Sequence, residues 1–149
     1  MLVSGISRLV IRKTNKNIIV QVVNYSDRGD SVVVTTNSTE LKKLGWKHAT
    51  GNLPAAYLTG MLAAQKAKKK GVEKVIVDLG LQPRGSRLYA AVKGAKDNGL
   101  EVPASDDIFP AADRLSGKHI AAYASLGKFS NSPASIEKDF NELKQKLMK

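Results

Sequence analysis

The sequence predicts a mixed α/β fold with the order β-β-β-α-β-α-β and a C-terminal helical extension. Three observations carry that prediction. Residues 8–36 are dense in β-branched side chains and largely alternate at period two, as strands with one buried face do. From Asn37 onward the apolar residues recur at helical spacing. Between two such helical stretches lies the short apolar run Val75-Ile76-Val77, which flanking helices make a parallel strand. The 149 residues suit one α/β core, here residues 1–103. Residues 104–149 then form an extension packed on that core or on a neighbouring molecule.

Residues 8–23 read as a β-hairpin around Thr14-Asn15-Lys16-Asn17. Pairing Lys13 with Ile18, Ile11 with Val20 and Leu9 with Val22 makes one face almost wholly aliphatic. The other face holds Arg8, Val10, Arg12, Ile19, Gln21 and Val23. A turn at Asp27-Arg28-Gly29-Asp30 leads to a third strand over residues 31–36. Asn37 and Glu40 have capping-box spacing and open a short helix that Gly45 ends. Residues 46–52 form a loop. Pro54 fits the first position of a longer helix reaching Lys70, with Gly71 as its stop and small alanines for close packing. After the strand at 75–77, Ser86 is expected to cap a second helix that buries Leu88, Ala91, Val92 and Ala95 and ends at Gly99. Residues 100–102 are a short strand before Pro103. Within the extension, Asp106, Asp107, Pro110 and Asp113 mark an irregular acidic stretch. Ser132-Pro133 opens a last helix with Ile136, Phe140, Leu143 and Leu147 in one stripe.

The charge is polarised. Of the net +11, residues 1–99 carry 17 Lys+Arg against 6 Asp+Glu, and residues 100–149 carry 7 of each. A basic region facing a neutral one implies a polyanionic partner, with nucleic acid ahead of an anionic membrane. The absence of Cys removes disulfides, thiolate zinc sites and cysteine nucleophiles. His48 and His119 each lack a second ligand at metal spacing, so no metal, cofactor or catalytic residue is assigned. No apolar run approaches the length of a membrane span.

Four stretches could carry chemistry. Gly80-Leu81-Gln82-Pro83-Arg84-Gly85-Ser86-Arg87 lies between a strand and a helix. A nucleotide-binding P-loop needs Lys and then Ser or Thr after its second glycine, where this chain has Ser86 and Arg87. The loop is either a plain turn or a seat for a backbone phosphate, and a phosphate-binding or phosphoryl-transfer enzyme is the alternative functional class. The strand order resembles that of ribonuclease-H-like enzymes, but a lone Asp78 cannot hold two metals and is expected to accept hydrogen bonds from the following loop. Lys66, Lys68, Lys69 and Lys70 crowd a helix C-terminus, which the helix dipole explains as well as a binding patch does. Trp46, beside Lys47 and His48, is either a loop anchor or a stacking surface for a base. The Arg8/Arg12/Gln21 face converges with Lys13, Asn15 and Lys16 at the hairpin tip, where guanidiniums and amides suit phosphate, ribose and base edges.

These residues also carry a resemblance. Residues 7–23, the block Gly45-Trp46-Lys47 with Thr50-Gly51-Asn52 and Pro54-Ala55-Ala56-Tyr57-Leu58-Thr59-Gly60, and Asp78-Leu79-Gly80-Leu81 leading to Gly85-Ser86-Arg87 are similar to large-subunit ribosomal protein eighteen of the archaeal/eukaryotic type. Residues 114–124 resemble a further stretch of it. The resemblance implies a ribonuclease-H-like α/β fold and a structural, non-enzymatic role in the large ribosomal subunit of the cytoplasm. It further implies binding of 5S rRNA in the central protuberance, beside large-subunit rRNA and neighbouring ribosomal proteins. RNA contacts are expected from Arg8, Arg12, Lys13, Thr14, Asn15, Lys16, Asn17 and Gln21, from Trp46, Lys47, Thr50 and Asn52, and from Arg84, Ser86 and Arg87. Two departures stand out. The family's basic N-terminal arm is not seen ahead of the first strand, and the Gly80–Gly85 loop is short.

Overall fold

The computed structural model describes residues 5–83, 85–124 and 135–149. Strands β1 (Ser7–Lys13), β2 (Ile18–Asn24), β3 (Ser31–Asn37) and β4 (Val75–Asp78) form one sheet in the order β3-β2-β1-β4. The first three are antiparallel and β4 runs parallel to β1. The hairpin register is the one the aliphatic face demands, with Lys13 opposite Ile18, Ile11 opposite Val20 and Leu9 opposite Val22. Leu9, Ile11, Ile18, Val20 and Val22 are fully buried on the inner face. On the outer face Val10, Ile19 and Gln21 are half-buried and Arg12 is exposed. Val23 departs from the alternation and is buried, beside an irregularity in the β2–β3 register.

The capping box forms at Asn37 and Glu40, and it opens a 3-10 helix, Ser38–Leu44, that Gly45 closes in the left-handed region at φ 104°. Burial raises the Glu40 pKa, but bonds from Lys66 and the Asn37 backbone outweigh it and hold the carboxyl below its ordinary range. Helix α1 (Leu53–Lys69) is capped by Asn52, whose Oδ1 accepts from the Ala55 N–H at 3.0 Å. Pro54 therefore occupies the second helical position rather than the first. Helix α2 (Ser86–Asp97) starts one residue earlier than expected. Gly85 is its cap residue and Ser86 makes no capping bond.

Helices α1 and α2 cross on the inner face of the sheet. A Cβ at Gly60 would lie 2.0 Å from the Ala91 carbonyl oxygen, and one at Gly94 would lie 2.0 Å from the Tyr57 carbonyl oxygen. The two backbones thus touch where each helix has no side chain. The Tyr57 hydroxyl donates to Asp97 across the same contact at 2.6 Å, and burial together with that carboxylate pushes the phenol pKa up.

The expected strand at 100–102 is reduced to a single parallel bridge between Lys74 and Glu101. Glu101 donates to Glu73 O at 2.8 Å and accepts from Val75 N at 3.1 Å. Pro103, which has no N–H, then ends any pairing. Leu100 and Val102 are buried nonetheless, so the segment fills the core without extending the sheet. β4 is consequently an edge strand, and Ile76 and Val77 are half-buried rather than enclosed.

Beyond residue 103 the chain contains short elements that periodicity did not reveal: a 3-10 turn (Asp106–Ile108), α3 (Ala112–Ser116) and α4 (Lys118–Ala124). The expected opening of the last helix at Ser132-Pro133 lies outside the described residues. Helix α5 (Ile136–Met148) buries the stripe Ile136, Phe140, Leu143 and Leu147. Phe140 meets the Tyr57 ring at 5.4 Å. The Asn98 amide donates to Met61 O at 2.8 Å and Leu147 O at 3.2 Å, tying the end of α2 to both α1 and α5.

Gly60→Ala and Gly94→Ala should each lower stability by about 1–3 kcal/mol through overpacking, opposite in sign to the ~1 kcal/mol gain of Gly→Ala in an exposed helix. Urea titration followed by circular dichroism measures it. Unchanged midpoints would show that the helices can move apart freely.

Candidate nucleic-acid interface

Three loops meet at one end of the sheet: the hairpin tip at 14–17, the segment 46–52 that enters α1, and residues 79–83 with Gly85 ahead of α2. Side chains staple them to one another. Arg87, in the first turn of α2, donates to Thr14 O at 3.2 Å and Gly51 O at 3.3 Å. The Thr50 hydroxyl lies 3.0 Å from Lys16 O and 2.8 Å from Asn17 Oδ1. Gln82 donates to Ile11 O at 2.7 Å and Leu79 O at 3.1 Å, and accepts from Lys13 N at 3.0 Å. Arg12 lies across the same end, donating to Asp78 O at 3.2 Å. Gly51 permits the approach, since a Cβ there would stand 2.9 Å from Lys16 O.

Within this end lies a depression of about 400 Å³ lined by Asn15, Lys16, Lys42 and residues 48–52. No carboxylate lines it. The ammonium groups of Lys16 and Lys42 and the amide of Asn15 have no hydrogen-bond or ion-pair partner among the described residues. The His48 ring closes one side. Its Nε2 lies 2.7 Å from Asp139 Oδ2 of α5, and the ring meets Trp46 edge-on at 5.0 Å.

The expected RNA-contacting residues separate into three groups. Arg12, Lys13, Asn15, Lys16, Lys47 and Ser86 keep charged or polar groups at or near this surface. Thr14, Asn17, Thr50, Asn52 and Arg87 use theirs inside the loop framework, Asn52 as the α1 cap. Gln21 sits on the outer sheet face with its amide on the Thr35 hydroxyl at 3.3 Å. Arg84 lies outside the described residues.

Two expectations are corrected. Trp46 is only 2% exposed and gives its indole N–H to Ala49 O at 3.1 Å; its ring anchors the loop and is closed to a stacking base. Arg8 is not a free guanidinium, because it pairs with Asp30 and, at 3.0 Å, with Asp78. Asp78 also accepts from Gly80 N at 2.9 Å, as expected. Lys42, Gln82 and Asp139 also belong to this end although nothing in the sequence singles them out, and His48, weighed in the sequence as a metal ligand, belongs here as well. Their proximity arises from tertiary folding, and no local spacing announces it.

The sequence model of the family described as "Ribosomal large subunit proteins 60S L5, and 50S L18" matches residues 4–75. The large ribosomal subunit protein uL18 of Methanoregula boonei is 51% identical over 125 residues, covering 83% of this chain and 72% of the relative. That of Thermofilum pendens is 42% identical, covering 99% and 84%, and that of Korarchaeum cryptofilum is 47% identical, covering 91% and 69%. The chain belongs to the uL18 family. In uL18 terms, the matched 4–75 region holds the hairpin tip and the 46–52 loop, whereas the loop entering α2 lies beyond it. Arg87 therefore ties a part of the basic end outside the matched region to the two parts inside it.

Arg87→Ala should release that tie, lowering stability by about 1–3 kcal/mol as a lost charge-assisted hydrogen-bond pair. Amide hydrogen exchange should quicken at Lys16, Asn17 and Asn52, whose segments the guanidinium holds. Arg87→Lys should rescue only part of this, because both bonds leave one guanidinium nitrogen, which an ammonium replaces on a shorter and more flexible stem. Unchanged exchange in both variants would show that the loops hold each other without Arg87.

Proposed function

We propose that this chain, a structural component of the large ribosomal subunit in the cytoplasm, binds 5S rRNA through the basic end of its sheet. The observation that carries the reading is the convergence of Arg12 and Lys13 at the end of β1, Lys16 on the hairpin tip, Lys42 on the 3-10 helix and Lys47 on the 46–52 loop, at an end held by hydrogen bonds before any partner arrives. Preorganised cations recognise folded RNA mainly by backbone and shape, with few base contacts. Arg12, Lys13, Asn15, Lys16, Lys47 and Ser86 are the contacting groups; Thr50, Asn52 and Arg87 position them. On this reading residues 1–103 are the RNA-binding unit, built on a ribonuclease-H-like frame whose last strand has shrunk to a bridge. Residues 104–149 brace that unit and face ribosomal neighbours in the central protuberance.

The chain acts by binding and not by catalysis. In the Gly80–Arg87 loop the residues after the second glycine are Ser86 and Arg87, and the Arg87 guanidinium is engaged by two backbone carbonyls. A phosphoryl-transfer site needs a free cation there.

With four to six phosphates engaged, log K for 5S rRNA should fall against log[salt] with a slope of roughly −3 to −5. Arg12→Ala and Lys16→Ala should weaken binding with melting nearly unchanged, since exposed charges contribute little to folding. Ile11→Ala should instead lower stability by about 2–5 kcal/mol as a core truncation. A slope near zero would remove backbone contact from the account, and recovery of an RNA other than 5S with the native protein would redirect it.

A further inference from the structure

We propose that the depression between the hairpin tip and the 48–52 loop seats one unpaired nucleotide of the bound RNA. Its phosphate lies against Lys16 and Lys42, its base against Asn15 and the His48 side, and Asp139 of α5 acts as a positioning residue for that wall. This rests on the RNA-binding reading above and adds to it a specific seat and three residues from outside the expected set, Lys42, His48 and Asp139, the last of which gives the neutral third of the chain a role.

The argument starts from which groups are unoccupied. Around the depression the Thr50 hydroxyl, the Asn52 amide oxygen and the Gly51 carbonyl are already engaged by protein partners. Lys16, Lys42 and Asn15 are not paired among the described residues. Two cations and an amide, lining one concavity without a carboxylate, suit a ligand that is anionic at one end and a hydrogen-bonding plane at the other. The volume, about 400 Å³, exceeds what a lone phosphate fills and falls in the range of small-ligand sites. Proteins that read RNA by sequence take splayed, unstacked bases, whereas duplex RNA is met by shape and by phosphate and 2′-hydroxyl contacts, which need no such recess.

The wall at His48 is fixed from two directions. Trp46 packs edge-on against the ring from below the loop, and Asp139 holds Nε2 at 2.7 Å. Asp139 is itself placed by α5, whose neighbouring Ile136 and Phe140 are buried in the core. The acidic side chain faces the imidazole and does not line the depression, so it orients the wall without repelling an incoming phosphate. A substitution far from the basic region in sequence therefore acts directly on the seat.

The test uses the full chain and three probes: adenosine monophosphate, uridine monophosphate and inorganic phosphate, at matched ionic strength, followed by amide chemical shifts. The nucleotides should shift Lys16, Lys42, Thr50 and Gly51 saturably and at least tenfold more tightly than phosphate. Lys42→Ala should abolish the response, weaken 5S rRNA binding several-fold and reduce the magnitude of its salt slope by about one. Asp139→Ala, with circular dichroism confirming an intact α5, should weaken nucleotide binding while leaving the phosphate response unchanged. Equal affinity for nucleotide and phosphate would overturn the seat in favour of a bare anion site. A normal response in Asp139→Ala would overturn the positioning role. If Lys42→Ala binds 5S rRNA like the parent chain and nucleotides do not saturate, the seat fails and RNA binding stands. If the parent chain binds no rRNA, both fail.

Discussion

The contact between α1 and α2 at Gly60 and Gly94 is the constraint on which the rest of the molecule depends. A Cβ at either position would overlap a carbonyl oxygen of the facing helix at 2.0 Å, so the crossing admits no side chain from either glycine. Both helices begin at the basic end of the sheet, α1 from Asn52 and α2 from Gly85. Fixing the crossing fixes the relative positions of these two starts, and with them the loops that precede them. Arg87 can reach Gly51 O only because the helices are this close. The geometry of the surface is thus set about two turns away from it, inside the core.

A second layer of packing depends on the first. Tyr57 and Asp97 close the crossing with a partly buried hydrogen bond, and the Phe140 ring packs at a tilt against Tyr57. Asn98 then satisfies carbonyls of α1 and α5 together. The C-terminal helix is consequently registered against α1 by polar as well as apolar contacts, which places Asp139 beside His48. Burying an amphipathic stripe allows helices to slide; two directional hydrogen bonds from Asn98 do not.

Much of this was legible in the residues and some could not be. The hairpin register followed from period-two alternation, because a one-residue slip would turn Leu9, Ile11, Val20 and Val22 to solvent. The stripe on α5 was equally plain. Trp46 was ambiguous because a lone aromatic beside cations reads the same whether its ring faces the core or a base. Arg8 misled for a related reason: Asp30 and Asp78, which neutralise it, lie 22 and 70 positions away. Local spacing also exaggerated the last strand, since Leu100 and Val102 are apolar to fill the core and not to pair. Each basic loop is legible in its own residues, but their convergence is a property of the crossing helices.

The ion pairs of Arg8 also bear on how the molecule meets a partner. With Asp30 and Asp78 bound to Arg8, the outer sheet face near the start of β1 contributes little positive field, while the end bearing Lys16, Lys42 and Lys47 keeps its positive charge. The prearranged loops are therefore one of two positive ends of the chain, the other being Lys68, Lys69 and Lys70 where α1 stops, with the outer sheet face between them close to neutral. In the field of a polyanion such a body experiences a torque before it makes any contact, and it presents an end rather than its sheet face during diffusion. Orientation is then largely decided in solution, and productive collisions form a larger share of all collisions than an evenly charged protein of equal net charge would achieve.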